Sequence, residues 1–195
     1  MCFSDGKPYI VWKTDDNANG QPARIFIREV NQDGVSFSDS APTTQILAAD
    51  LALERNVVEG PWIIFRDPFY YLFYSGNGYL SPHYYTGVAR SFAVTGPYEK
   101  QEVDEKDVFL HTDLDLFNNG ENSTFVGPGH GSVVQVGGDW WFVYHAWRWG
   151  QVGQTPGRVL LLDKIEWDEE AAWPHIGSPS VSSHPNPATH ISFLL

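Results

Sequence analysis

The chain has little of several things that would classify it quickly. A single cysteine, Cys2, in 195 residues excludes an intrachain disulfide framework, and no Cys/His spacing fits a structural zinc site. An excess of positive charge is also missing. Twelve Lys and Arg against 24 Asp and Glu give a formal charge of −12, which argues against nucleic acid or an anionic membrane as partner. No apolar run approaches the length of a membrane span, and no basic stretch followed by an apolar one marks a signal peptide. Helical periodicity is nearly absent; the best helical candidate, Ala48 to Arg55, is short.

Aromatic residues, by contrast, are abundant. Eight Trp, nine Tyr and twelve Phe sit in short β-branched runs separated by clusters of Gly, Pro, Asn and Asp, the pattern of an all-β sandwich, barrel or propeller. Such a surplus serves β-rich cores and also the stacking of flat, partly apolar ligands. Asn122-Ser123-Thr124 is an N-glycosylation sequon, which would suit a secreted protein.

Internal repetition selects among the β architectures. A turn followed by an aromatic strand recurs at Asp5 to Trp12, Asp67 to Tyr74 and Gly138 to Tyr144. Aligned on Trp12, Tyr74 and Tyr144, the spacings are 62 (74 − 12) and 70 (144 − 74). Further strands are expected at Arg24 to Val30, Thr86 to Ser91 and Arg158 to Asp163, and last strands at Val35 to Phe37, Phe92 to Thr95 and Lys164 to Trp167. A repeated four-stranded unit predicts a β-propeller, with about three blades over residues 1–180 and a poorly ordered Ser-, His- and Pro-rich tail over 181–195.

The strand ahead of each recurring one would line the central channel. In the second unit it starts at Glu59, 15 positions before Tyr74, and in the third at His130, 14 positions before Tyr144, so the two residues are expected to be equivalent. The same offset from Trp12 runs ahead of Met1, so the first innermost strand and the N-terminal blades are expected to be missing. Glu59 lies in Val57 to Phe65, where Gly60-Pro61 bends an otherwise apolar strand. A carboxylate among such neighbours is partly desolvated, which raises its pKa toward the range of a general acid. The plainer alternative is an exposed turn residue.

Glu59-Gly60-Pro61, Tyr71 to Asn77, Gly127-Pro128-Gly129-His130-Gly131-Ser132, and Gly157-Arg158 ahead of Asp163 to Trp167 occur in an order and spacing that resembles glycoside hydrolase family 43 over Asp5 to Ser180. The resemblance implies a five-bladed propeller that hydrolyses arabinose- or xylose-containing polysaccharides with inversion. It implies Glu59 as general acid, Arg158 as a substrate contact, and His130 as a substrate contact near a central ion such as calcium, held through water. Asn77 and Tyr85 are implied in a loop bordering the pocket. A required cofactor is not implied; an extracellular location and a monomeric full-length form are.

Each of these residues has an ordinary alternative: His130 as a core histidine, Arg158 as a surface arginine. Arg66-Asp67-Pro68 resembles a catalytic triplet of related propellers but occupies the turn slot of the repeat, and the turn reading is favoured. Inversion needs a second carboxylate as base, and the family uses a third to tune the acid. No residue of this chain matches either; Asp5 belongs to a turn and Asp15-Asp16 to a loop. Ala171-Ala172-Trp173-Pro174 departs from the family's glycine before Trp-Pro. The competing readings are a hydrolase, a carbohydrate-binding propeller remnant that hydrolyses nothing, and a fragment with exposed sheet edges.

Overall fold

A computed structural model of the chain describes residues 2–101, 104, 107–113, 115, 119 and 124–182. Asn122 and Ser123 of the sequon and residues 183–195 of the tail lie outside the described residues. The fold is all-β and antiparallel, and the chain divides into two compact units. One comprises Met1–Gly78 with Gly87–Glu102, the other Tyr79–Thr86 with Val103–Leu195.

Two four-stranded sheets begin the chain. The first runs β1 (Cys2–Ser4), β2 (Lys7–Lys13), β3 (Arg24–Glu29), β4 (Thr44–Ala48); the second runs β5 (Val58–Arg66), β6 (Phe69–Gly76), β7 (Tyr85–Ser91), β8 (Glu99–Lys100). Each strand pairs with its neighbours in sequence, the up-and-down order of a propeller blade. Asp5 and Gly6, at φ 50° and 74°, form the two-residue turn that sets Ser4 opposite Lys7. Asp67-Pro68 makes the corresponding turn between Arg66 and Phe69, so the triplet is a hairpin turn in this structure. Alternation along β3 sends Ile25 and Ile27 inward, where they join Tyr9, Leu47, Val58, Leu72, Tyr74 and Ala89 in one core cluster. Burying a side chain of this size stabilises by about 1.5–3 kcal/mol.

The second unit contains β9 (Phe125–Val136), β10 (Asp139–Arg148) and β11 (Val159–Lys164) in the order β11-β10-β9, and a separate pair, β12 (Glu166–Asp168) with β13 (Trp173–His175). Gly137 and Gly138, at φ 60° and 92°, turn β9 into β10. Phe109 meets Phe142 edge-on at 5.1 Å, and Leu110, Val126, Trp141 and Ile165 of the same unit are also buried.

All three recurring stretches are second strands of their sheets, β2, β6 and β10, as the repeat predicts. The last strands differ. Val35 to Phe37 is not a strand, because Asp33 Oδ1 accepts the Val35 and Ser36 N–H groups and turns the backbone at Gly34. The fourth strand is instead Thr44–Ala48. Phe92 to Thr95 is likewise a turn, with Ser91 Oγ accepting the Ala93 N–H, and the fourth strand comes after Gly96-Pro97. Lys164 ends β11, and the next strand pairs with β13.

Ala48 closes β4, and the helical expectation shrinks to a 3-10 turn at Ala52–Glu54, ended by the left-handed Arg55 and Asn56. A first strand of three residues, Cys2–Ser4, stands where none was expected. Ala172 adopts φ 55°, the conformation for which a glycine is favoured.

Candidate functional site

In the first unit the β5–β6 hairpin places Glu59. Pairing runs regularly to Trp62 opposite Phe73 and resumes at Glu59 opposite Ser75. β5 thus spends three steps (62 − 59) on two of β6 (75 − 73), which is a β-bulge at Gly60-Pro61. Gly60 takes φ 58° there, and Pro61 needs no partner for an N–H it lacks. The bulge presents Glu59 with its side chain 15% exposed and Oε2 3.5 Å from Lys13 Nζ.

Lys13 also donates to Asp15 Oδ1 at 2.6 Å. Burial pulls the Lys13 pKa down most strongly, but the hydrogen bond to Asp15 and the charge of Glu59 together hold it above the ordinary lysine value. Glu59 is therefore a half-buried carboxylate with a cation in reach, not an exposed turn residue. Two grooves of this unit, about 580 and 370 Å³, are lined from β4 and β8 and from Phe69 and Phe92 respectively, and Glu59 lines neither.

The second unit repeats the same bulge with different side chains. His145 pairs with Gly129 and Val143 with Ser132, again three steps (132 − 129) against two (145 − 143). With the 70-residue offset (144 − 74), Glu59 corresponds to Gly129, and Gly60 corresponds to His130. The expected equivalence of Glu59 and His130 is off by one residue: they stand 15 (74 − 59) and 14 (144 − 130) positions before the aligned aromatics, whereas the two bulges share one register, so Gly129 is the residue equivalent to Glu59. His130 instead occupies the left-handed slot, at φ 54°. That conformation costs a non-glycine residue about 1–2 kcal/mol. Its side chain is exposed, which sets aside the core-histidine reading.

Around this bulge a cluster forms within the second unit. The His145 ring stacks on Tyr84 at 6.2 Å and 7° and on His130 at 6.0 Å and 23°. Arg158, exposed just ahead of β11, brings Nη1 within 2.8 Å of His145 Nε2. Its guanidinium carbon lies 5.3 Å from the Tyr79 ring centre and 5.8 Å from that of Trp147. Trp147 Nε1 donates to the Tyr79 carbonyl at 2.8 Å and fixes that loop to β10.

Beneath the cluster Tyr144 donates to Asp163 Oδ2 at 2.5 Å, and burial together with this bond pushes the Tyr144 pKa up. The arrangement offers N–H donors beside aromatic faces. Hydroxyl-rich ligands with apolar ring faces fit such a surface.

Asn77 and Tyr85 are placed differently from the expectation. Asn77, at φ 69°, uses its side-chain oxygen on the Gly78 N–H and its side-chain nitrogen on the Leu53 carbonyl, so it ties its own turn. Tyr85 is in strand β7, not in a loop, and is 1% exposed, so its ring packs in the interior. Among the described residues no group of three or more His, Cys, Asp or Glu gathers to hold a metal. Nitrogens of His130 and His145 beside a guanidinium suit calcium poorly, since that ion takes six to eight oxygen ligands.

Sequence reasoning missed Lys13, His145, Tyr79, Tyr84 and Trp147. A signal for the first two was present. Directly after the aligned aromatics Trp12, Tyr74 and Tyr144 stand Lys13, Ser75 and His145, three polar side chains in the same slot of otherwise apolar strands. In the structure Lys13 reaches Glu59, Ser75 pairs opposite Glu59, and His145 reaches Arg158.

The model of glycosyl hydrolases family 43 matches residues 2–174. A thermostable family-43 glycoside hydrolase is similar at 26% identity and TM-score 0.77, over 96% of this chain and 59% of its own. An endo-1,4-beta-xylanase from Bacteroides thetaiotaomicron is similar at 25% identity and TM-score 0.70, over 90% of this chain and 55% of its own. The fold is also shared with an alpha-L-arabinofuranosidase from Lactobacillus brevis, at 19% identity and TM-score 0.74, over 94% and 56%. The chain thus spans between 55% and 59% of the length of these three proteins.

Proposed function

The chain belongs to glycosyl hydrolase family 43, and from that premise we propose that it serves the inverting hydrolysis of arabinose- or xylose-containing plant polysaccharides outside the cell, with Glu59 as general acid. The observation that carries this reading is the bulge that holds a half-buried carboxylate at the end of β5. In its protonated form Glu59 donates to the glycosidic oxygen as the bond to the anomeric carbon breaks. Water then attacks the opposite face of the sugar, activated by a second carboxylate about 6.5–9.5 Å away.

Neither that base nor the aspartate that tunes the acid is assigned to a residue of this chain. Asp5 makes a turn, Asp15 binds Lys13, and Asp16 binds Thr14 and Arg24. Within the second unit, Arg158 and His130 are the carbohydrate contacts of this reading.

A second reading, carbohydrate binding without hydrolysis, is favoured by the Arg158, Tyr79 and Trp147 cluster, which offers donors and ring faces and, among the described residues, no carboxylate paired with Arg158. One set of measurements separates the two. The chain is titrated calorimetrically with arabino- and xylo-oligosaccharides and assayed on aryl arabinofuranosides and xylosides. Binding with little turnover is expected, and whatever turnover exists should fall about 10²–10⁴-fold in Glu59→Gln. Turnover that survives this substitution removes Glu59 from the acid role. Failure to bind either sugar class removes the carbohydrate reading altogether.

A further inference from the structure

Among the described residues, Arg158 is a cation held without a carboxylate. Its contacts are the imidazole of His145 at 2.8 Å and the faces of Tyr79 and Trp147. A guanidinium has five N–H donors and no acceptor, so the short contact defines His145 Nε2 as the lone-pair acceptor and the ring as neutral, with its proton on Nδ1. The imidazole is itself fixed: its strand is paired to both neighbours, at Gly129 and at Leu160, and its ring stacks on Tyr84 and on His130. Tyr84 is fully buried, which anchors that stack in the interior.

We infer that His145 is the positioning residue for Arg158: its Nε2 lone pair anchors one arm of the guanidinium fork, so that the remaining N–H groups are oriented for the hydroxyls of a bound sugar. This rests on the reading that Arg158 contacts carbohydrate. An acceptor without charge suits the task. A carboxylate in the same place would satisfy two arms of the fork at once and leave fewer for the ligand. A neutral imidazole takes one donor, and the π faces of Tyr79 and Trp147 constrain the plane without taking any N–H. The slot reinforces the point, since Lys13, at the same place in the first recurring strand, is the residue that meets Glu59.

Two substitutions separate the hydrogen bond from the packing. His145→Gln keeps a neutral acceptor and removes the ring; His145→Phe keeps a ring beside Tyr84 and His130 and removes the acceptor. Calorimetry with xylo- and arabino-oligosaccharides should show affinity near wild type for His145→Gln and a loss of about tenfold or more for His145→Phe, the effect of one hydrogen bond to a charged group. In parallel, guanidinium NMR should show the slowed rotation of a held Arg158 side chain in the wild type and in His145→Gln, and its loss in His145→Phe. Melting curves identify any variant that fails to fold, and Arg158→Lys supplies the reference for loss of the fork.

The reverse order, with Phe retaining affinity and Gln losing it, assigns the effect to ring packing and overturns the inference. So does an Arg158 signal that is the same in all three proteins. If the wild type binds no sugar, the carbohydrate reading fails, while the Arg158 signals still decide whether His145 fixes the guanidinium.

Discussion

Glu59 and Arg158 lie in different units of the chain, and each is met by the polar residue that follows the aligned aromatic of a recurring strand. Their partners differ in kind. Lys13 meets the carboxylate with an opposite charge at 3.5 Å, whereas His145 meets the arginine with a neutral lone pair at 2.8 Å. The bulges beside them differ too: the left-handed residue is Gly60 in one and His130 in the other. A single hairpin design therefore carries two chemistries, and the side chain in one or two slots decides which.

The contrast extends to the interiors, where the largest effects are expected. In the first unit Lys100 binds Glu54, which has no exposed surface, at 2.6 Å, along with Asp50 and the Ala48 carbonyl. Lys100→Met strands a buried carboxylate and should cost about 3–5 kcal/mol in urea unfolding, with much of it recovered by adding Glu54→Leu. In the second unit, Tyr144→Phe removes one donor from the buried Asp163 and should cost about 1.5–3 kcal/mol. Equal losses would show that the units do not differ in how they hold buried charge.

A smaller effect tests the bulges. Exchanging the left-handed residues should act in opposite directions: Gly60→Ala destabilises by about 1 kcal/mol, while His130→Gly relieves about the same strain at the expense of its ring contact. Sugar affinity measured alongside separates the two roles of His130, since strain relief without loss of binding would leave that side chain no part in the site.

Acid should bring out the smallest difference. Asp16 is held below the ordinary aspartate value by the Thr14 hydroxyl first and Arg24 second, and Asp33 by the Ser36 hydroxyl first and then the Val35 and Ser36 N–H groups. A depressed carboxylate contributes stability that is complete above its unfolded value, near 3.8, and is lost as the pH falls through its lower folded value. Both residues are in the first unit. Melting between pH 5 and pH 2 should therefore show the wild type losing its margin over Asp16→Asn and Asp33→Asn as the pH drops. A constant margin would mean that these hydrogen bonds do not favour the ionised form.

Much of the fold was legible because turn chemistry and aromatic alternation are local. Asp5-Gly6, Asp67-Pro68 and the second strands β2, β6 and β10 could be read directly from residue type. The fourth strands could not. At Val35 to Phe37 the apolar residues suit a strand, but Asp33 captures the N–H groups a ladder would need, and at Thr44–Ala48 the pairing with β3 overrides a sequence that leads into a helix-like stretch. For the candidate site, Glu59, His130 and Arg158 were singled out from motif, spacing and the family resemblance. Their partners were not, because Lys13 and Glu59 are 46 positions apart (59 − 13), and Tyr79 and Arg158 are 79 apart (158 − 79).

What the sequence determined by itself was the class and the repeat: an all-β chain whose hairpins recur, with the residues that tie it to one glycosidase family in order along it. Only the tertiary structure decided the register. Pairing set Glu59 opposite Ser75 and Gly129 opposite His145, so His130 fills the slot of Gly60; the fold also buried Tyr85 in β7 and brought Arg158 to His145. Spacing along a chain counts residues, but a strand's side chains alternate, so a displacement of one position changes which face, and which partner, each of them meets.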